Sequence, residues 1–374
     1  MSHPFCPTDL SFCTKQELIE QLLAYSNRNI ALLVSESSIV RYEFQNLIKQ
    51  LSNTNHVTWI KQINPNPTQE DLLTSLKLLE EKPVDLIIAM GGGSSIDLAK
   101  GISAFHSISD RVSSLELLTQ GILQKYYTEH SDFIDIIAIP TTAGTGSELT
   151  QWGTFWDHQG KMKYSIDHAP LLPVKAIIVP ELTLTLTPLL TLSTGLDALS
   201  HAMEAYWSKH TSPLVQDISY RAIQLILEYL PLSIHSPENF EYRERLCRAS
   251  ALAGMSFSHT RTTACHSISY PLTMLYHIPH GIAVAMTLGA VSHRNKGYFP
   301  NSEDLFNLFR EYGGLQPWLD QVSHNIAELR LSNYHIKPSD LEQLVLQSFT
   351  NGRMDNNPVN FNKEDILEIL QQVY

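Results

Sequence analysis

At 374 residues, 43% of them hydrophobic and 17% charged, the chain has the composition of an ordinary globular protein, and its length favours about two domains over one small core. A formal net charge of −12 argues against a nucleic-acid or anionic-membrane partner, since either asks for a basic face, and means that an anionic small substrate would need a local basic pocket. The opening MSHPFCPTDLSF has no positive n-region and no continuous apolar h-region, no later run approaches the ~18 residues of a membrane span, and Cys6, Cys13, Cys247 and Cys265 include no CxxC pair, so the expectation is a cytoplasmic protein in a reducing compartment.

The first half alternates short β-branched runs with helical patterns. NIALLVS (Asn29 to Ser35), HVTWIKQI and VDLIIAM (Val84 to Met90) read as buried strands, with an amphipathic helix from Thr68 to Glu81 between the last two. DIIAIP (Asp135 to Pro140) and VKAIIVP (Val174 to Pro180) add two more. Continuous apolar strands separated by helices imply a parallel sheet covered on both faces. TQWGTFWD and KMKYSI, flanking His158-Gln159-Gly160, predict a hairpin at the edge of that sheet. After Pro180 the strand signal stops, and helical periodicity dominates from Thr194, with segments at Gly195 to Ser208, Pro213 to Tyr229, Glu238 to Phe257, Gly281 to Ser292, Leu305 to Tyr312, Pro338 to Ser348 and Lys363 to Val373. The domain boundary is expected between Glu181 and Pro188.

Two turns in the first half are rich in glycine. GGGSSIDLAKG follows the strand ending at Met90, with a helix beginning near Ser94, so backbone N–H groups and the positive end of a helix dipole would face outward, as a phosphate requires. PTTAGTGSE (Pro140 to Glu148) follows its own strand in the same way. Neither fits the usual dinucleotide fingerprint, because the third glycine of GxGxxG would be Ile96 in one and Leu149 in the other. A tight strand-to-helix loop is the plainer reading of either turn alone. Glu36, just past the first strand, could accept hydrogen bonds from ribose hydroxyls and repel a 2′-phosphate, favouring NAD over NADP, or could be a solvated loop acid.

In GLDALSH (Gly195 to His201), Asp197 and His201 stand four residues apart, so on a helix they share one face. They could hold one metal ion or form only a surface pair. Two further imidazoles, His266 in TACHSISYP and His280 in YHIPHG, lie near a Pro or Gly that would place each close to a helix end. One carboxylate and three histidines would make a nitrogen and oxygen site for a divalent first-row metal. Cys265, beside His266, is expected to be a small buried residue.

Taken together, GGGSSIDLAK, PTTAGTGSE, GLDALSHAMEAY, CHSISYPL and IPHG resemble, in order and spacing along nearly the whole chain, the iron-containing alcohol dehydrogenase family. The resemblance implies an α/β nicotinamide-cofactor-binding domain with a parallel sheet at 1–182 and an all-helical metal-binding catalytic domain at 183–374, an architecture shared with dehydroquinate synthase. It implies ferrous iron or zinc, NAD(H) with NADP(H) left open, and a homodimer. Carried over residue by residue, the metal ligands are Asp197, His201, His266 and His280. The pyrophosphate loop is Gly91, Gly92, Gly93, Ser94 and Ser95, with Asp97 and Lys100 on the helix that follows, and Thr141, Thr142, Thr145, Gly146 and Ser147 line the second cofactor turn. Many members have a histidine four residues after the third ligand; here that position is Tyr270, so a relay role for that histidine does not transfer. The usual DPxLT is Val179-Pro180-Glu181-Leu182-Thr183.

The run TRTTACHSISYPLT, with QWGTFWD and RMDNNP, resembles most the branch that reduces phosphonoacetaldehyde to 2-hydroxyethylphosphonate. On that reading Arg261, five residues before His266, and Arg353 offer planar forks of donors to the phosphonate; otherwise each pairs with a nearby carboxylate. The chemistry expected is hydride transfer between the nicotinamide and a carbonyl polarised by the metal, with bound water, Tyr270 or His277 as the proton donor. The alternatives are a dehydrogenase of a small uncharged alcohol or diol, a lyase of the dehydroquinate synthase type, and a non-catalytic metal or nucleotide-binding module.

Overall fold

The computed structural model describes residues 5–157 and 162–374. They fall into two compact units: the first runs up to Thr142 and includes Ser147–Thr183, and the second comprises Ala143–Gly146 with Leu184–Tyr374.

The first unit is built on eight strands: β1 (Asp9–Phe12), β2 (Asn29–Leu33), β3 (His56–Ile60), β4 (Leu86–Gly91), β5 (Asp135–Pro140), β6 (Trp152–Asp157), β7 (Met162–Asp167) and β8 (Lys175–Ile178). Six form one sheet in the order β1-β8-β5-β4-β2-β3, every pairing parallel. The apolar runs are unbroken because both faces are covered, and the side chains divide strictly by parity. Ala31, Leu33, Ile87, Ala89, Ile136 and Ala138 pack with Leu72, Leu76, Ile102 and Phe105 on one face. Ile30, Leu32, Leu86, Ile88, Ile137 and Ile139 pack with Leu18, Leu22, Leu47 and Leu51 on the other. Each buried Ile or Leu contributes roughly 1.5–3 kcal/mol, so a one-residue slip of register would be opposed on both faces at once.

Two features of this unit differ from expectation. β1 carries no strand signal, since DLSF is four residues long with a single strongly β-favouring side chain; the parallel register Asp9↔Lys175 to Phe12↔Ile178 along β8 makes it a strand. The hairpin forms, with β6 and β7 antiparallel, but it is a separate two-stranded sheet and not an edge of the large one. It packs on the Gly93–Phe105 helix, where a Cβ on Gly101 would stand 2.5 Å from the Phe155 ring and one on Gly153 would stand 3.2 Å from the Asp97 carbonyl oxygen. Glycine at both positions lets strand and helix approach, and the edges of the large sheet are left to β1 and β3. His158, Gln159 and Gly160 lie outside the described residues.

The second unit is helical. Its Pro188–Trp207 helix starts seven residues earlier than periodicity suggests, because Thr187 caps it by accepting from Leu190 N at 3.3 Å and Pro188 occupies the first turn, where its missing N–H costs nothing. Nearly all of this helix is buried, and the Pro213–His235, Phe240–Thr260 and His280–Asn295 helices pack around it. The Ala264–Tyr276 helix escapes a periodicity search because Pro271 lies inside it, and the Leu315–Ser323 helix is likewise additional to the segments expected. No described helix is long and apolar enough to cross a membrane.

Candidate metal centre and cofactor turns

Asp197 and His201 rise from one face of the Pro188–Trp207 helix, as the four-residue spacing requires. His266 is the third residue of the Ala264–Tyr276 helix, and His280 is the first residue of the His280–Asn295 helix. The last placement depends on Gly281, where a Cβ would stand 1.8 Å from the Ser193 carbonyl oxygen and 3.1 Å from Asp197 Cβ. Any larger residue would push that helix end, and His280 with it, away from Asp197.

The donor atoms of Asp197, His201 and His266 all lie within 4.8 Å of one another. From Asp197 Oδ1, His266 Nε2 is at 3.5 Å, His201 Nε2 at 3.9 Å and His280 Nε2 at 4.0 Å. Ligands of a tetrahedral ion at ~2.0–2.2 Å would be about 3.3–3.6 Å apart, and the three contacts from Asp197 stand within a few tenths of an ångström of that spacing. Asp197 Oδ1 and His266 Nε2 are both buried without a hydrogen-bond partner among the described residues, an arrangement that costs free energy in a protein interior until something binds there. The residues therefore fit a divalent cation.

The electrostatics of Asp197 and His201 agree with that donor set. Burial would raise the Asp197 carboxyl, but the imidazoles of His201, His266 and His280 outweigh it and hold the group well below the usual carboxylate range. Burial pushes His201 down to about 4, leaving a neutral imidazole. Its Nδ1 lies 3.3 Å from the Gly144 carbonyl oxygen, which can only accept, so Nδ1 carries the proton and the Nε2 lone pair faces Asp197. The ring is held between Phe257, 4.1 Å away and nearly parallel, and His266 at 4.5 Å.

Glu204 carries no local ligand signature in sequence, although it continues the same helical face three residues beyond His201. It is fully buried and bonded to His266 Nδ1, and it also accepts from Thr263 Oγ1 at 2.7 Å and Cys265 N at 2.7 Å. Burial alone would lower His266, yet the Glu204 and Asp197 carboxylates outweigh it and raise the imidazole to about 9, so a cation bound here would displace the proton from Nε2. Cys265 is a buried small residue, as expected, with burial pushing its thiol up.

Tyr270, one turn beyond His266, is buried with its ring parallel to that of His280 at 6.1 Å. His277 ends the same helix in a left-handed conformation with its side chain exposed. Arg261 stands at φ 62 and ψ 178 just after the Phe240–Thr260 helix. Its Nη1 lies 2.9 Å from where a Cβ on Gly352 would be, and Arg353 Nη1 donates to the Gly352 carbonyl at 2.8 Å. Arg261 thus reaches the Gly352-Arg353 segment. Asn356 Nδ2 fastens the segments together by donating to Thr262 O at 3.2 Å and Gly352 O at 2.9 Å.

In the first unit the two glycine turns leave neighbouring strands at the same carboxyl edge. Gly91 is in register with Pro140, Thr141 N donates to Gly91 O at 2.9 Å, and a Cβ on Gly92 would meet the Thr142 side chain at 3.5 Å. β2 pairs with β4 on the other side, so Glu36, three residues past Leu33, stands at this edge too, with Lys61 Nζ 2.9 Å from its Oε1. Gly92 precedes the Gly93–Phe105 helix without a side-chain cap, and Gly93 to Ser95 form its first turn; Ser94 Oγ accepts from Asn66 N at 3.1 Å. Lys100 points into the protein, and Asp97 is half-buried beside it. Lys100 is fully buried, its ammonium donating to Ser147 O, Ser147 Oγ, Thr150 Oγ1 and Trp152 O, and Asp97 accepts from Ser147 Oγ at 2.6 Å and Thr154 N at 3.1 Å. Thr145 and Gly146 belong with the second unit, where Gly146, at φ +60, runs so close to Gly254 that a Cβ would stand 2.6 Å from its Cα.

Comparison with known proteins gives matches along both units. A family model described as iron-containing alcohol dehydrogenase covers residues 12–180, and one for the C-terminal part of the Fe-containing alcohol dehydrogenase family covers residues 191–374. The chain is 32% identical over 274 residues to an NADPH-dependent butanol dehydrogenase of Clostridium saccharobutylicum, covering 72% of this chain and 68% of that protein. It is 27% identical over 354 residues to alcohol dehydrogenase 4 of Saccharomyces cerevisiae, covering 92% and 91%. Among solved structures, the sulfoacetaldehyde reductase of Bifidobacterium kashiwanohense in complex with NAD+ superposes with a TM-score of 0.85 at 26% identity, covering 100% of this chain and 99% of that one.

Proposed function

The chain belongs to the iron-containing alcohol dehydrogenase family, oxidoreductases acting on alcohols with iron and NAD(H), and from that premise we propose that it reduces a small aldehyde carrying a tetrahedral oxyanion, phosphonoacetaldehyde, to 2-hydroxyethylphosphonate. The observation that carries this reading is the approach of the Arg261 guanidinium to the Gly352-Arg353 segment, in a protein whose net charge is −12. An acidic chain repels an anionic substrate unless local donors receive it, and two planar guanidinium forks match the oxygens of a phosphonate. The backbone of Arg261 adds weight, because φ 62 with ψ 178 is a region essentially reserved for glycine and costs about 1–3 kcal/mol with any other side chain. The similarity to a sulfoacetaldehyde reductase supports the same class of substrate, a two-carbon aldehyde with an anionic head.

Asp197, His201, His266 and His280 would hold the metal. When bound, the metal supplies a Lewis acid for the aldehyde carbonyl and the nicotinamide supplies the hydride. Arg261 and Arg353 would bind the phosphonate and so fix the far end of the substrate, turning binding energy into orientation. Tyr270, buried and with its ring parallel to that of His280, would deliver a proton from its Oη; His277 is exposed and left-handed at its helix end, which favours it less. Gly91 to Ser95 would receive the pyrophosphate on backbone N–H groups. Asp97, Lys100 and Ser147 act from beneath by tying the second turn to the Gly93–Phe105 helix. Glu36 at the same strand edge favours NADH over NADPH.

The test is steady-state reduction of phosphonoacetaldehyde by metal-loaded protein with NADH and with NADPH. Arg261→Ala and Arg353→Ala should each raise KM for phosphonoacetaldehyde by about tenfold or more, about 1.4 kcal/mol, while leaving an uncharged aldehyde within about threefold. Variants that slow both aldehydes equally would contradict the anion-binding assignment.

A further inference from the structure

The carboxylate of Glu204 lies deeper than the four candidate ligands and is fully buried, where a charged group is retained only if its oxygens are satisfied. The partners of that carboxylate come from the start of the helix carrying His266: Thr263 Oγ1 at 2.7 Å, Cys265 N at 2.7 Å, His266 N at 3.4 Å, and the His266 ring through Nδ1. Thr263, the residue preceding that helix, makes no side-chain cap of its own. A carboxylate from the Pro188–Trp207 helix therefore caps the Ala264–Tyr276 helix and holds its third residue by the ring. Trp207 Nε1, one turn further along the same face, donates to Thr263 Oγ1 at 2.9 Å and steadies the acceptor side of the arrangement.

We infer that Glu204 is the positioning residue of the metal centre: it holds the proton of His266 on Nδ1 and so turns the Nε2 lone pair toward Asp197. The inference rests on the reading of Asp197, His201, His266 and His280 as metal ligands. Its chemical content is specific. A carboxylate can only accept, so the nitrogen facing it must carry hydrogen and the opposite nitrogen is presented for ligation; outer partners of this kind fix ring orientation and raise ligand basicity. Asp197, His201 and Glu204 stand at i, i+4 and i+7 of one buried helix, so a single face supplies two ligands and the support for a third.

The discriminating variant is Glu204→Gln, which keeps size and the acceptor for Thr263 Oγ1 and Cys265 N but presents an amide N–H to His266 Nδ1, favouring the tautomer with hydrogen on Nε2. Zinc affinity is measured against a competing chelator for wild type, Asp197→Asn, Glu204→Gln and Thr263→Val, with the urea midpoint of each metal-free protein recorded beside it. Glu204→Gln should bind zinc about 10–100-fold more weakly than wild type, with a metal-free midpoint close to that of Thr263→Val, while Thr263→Val, which leaves the contact between Glu204 and His266 intact, stays within about threefold of wild type in affinity. Glu204→Gln with wild-type affinity beside a weakened Asp197→Asn would overturn the inference and leave the metal centre standing. Affinity that falls equally in Thr263→Val and Glu204→Gln would make Glu204 a helix cap only and overturn it too. Zinc binding unaffected by Asp197→Asn would instead defeat the metal-centre reading beneath it.

Discussion

His201 Nδ1 donates to the carbonyl oxygen of Gly144 at 3.3 Å, so the backbone of a glycine-rich turn orients a candidate metal ligand. The turn can come this close only as glycine: a Cβ at Gly144 would stand 2.5 Å from the Thr194 carbonyl oxygen and 2.6 Å from Thr194 Cβ. Gly144→Ala should therefore shift the turn, destabilise the protein by about 1–3 kcal/mol and weaken zinc binding by displacing His201. Thermal unfolding with and without zinc checks both effects. Wild-type midpoints in both conditions would show that the turn yields without cost and that His201 does not depend on it.

Arg261 makes a second prediction, in which function and stability pull apart. Since its φ 62 and ψ 178 suit glycine, Arg261→Gly should relieve strain and raise the unfolding temperature by about 2–4 °C per kcal/mol recovered, while removing any preference for an anionic aldehyde. Arg261→Ala should lose the preference without gaining stability, because alanine shares the backbone penalty. The comparison of the two melting curves is the measurement, and equal midpoints for the glycine and alanine variants would contradict the strain.

Glu148 predicts a pH dependence. Burial lifts its carboxyl from 4.5 to about 7, against the pull of its own backbone N–H and of Lys100. The folded state then holds a proton that the unfolded chain has released, so stability is fully present below about 4.5 and is lost as pH rises toward 7, at up to about 1.4 kcal/mol per pH unit. Lys100, which burial holds down to about 8, titrates in a separate window above that. Urea midpoints at pH 5.0 and 7.5 should differ more in wild type than in Glu148→Gln, with wild type the less stable at the higher pH. An identical difference in both proteins would remove Glu148 as the cause.

Legibility in sequence depends on the range of the interaction. The sheet strands were legible because burial on both faces writes continuous apolar runs, as in Ile30 to Val34 and Leu86 to Met90, and the shared face of Asp197 and His201 follows from helical geometry alone. β1 was not legible, because four residues become a strand only through the register β8 offers. The hairpin was legible but not its place, which depends on Gly101 and Gly153 admitting helix and strand to each other. Glu204 was within reach of the pattern Asp197, His201, Glu204, yet nothing local says that its carboxylate meets Thr263 and His266 from another helix. The approach of Arg261 to Gly352 joins positions some ninety residues apart and is visible only in three dimensions.

The most direct test of the account is the ratio of kcat/KM for phosphonoacetaldehyde to that for an uncharged aldehyde of similar size, measured by NADH oxidation on zinc- or iron-loaded wild-type protein, with sulfoacetaldehyde as a third substrate. A ratio of roughly 100 or more, about 2.7 kcal/mol of transition-state discrimination, with phosphonoacetaldehyde ahead of sulfoacetaldehyde, is the predicted result. Equal rates on charged and uncharged aldehydes would contradict the anionic substrate and leave a dehydrogenase of a small neutral alcohol, whereas a larger rate on sulfoacetaldehyde would move the assignment from phosphonate to sulfonate.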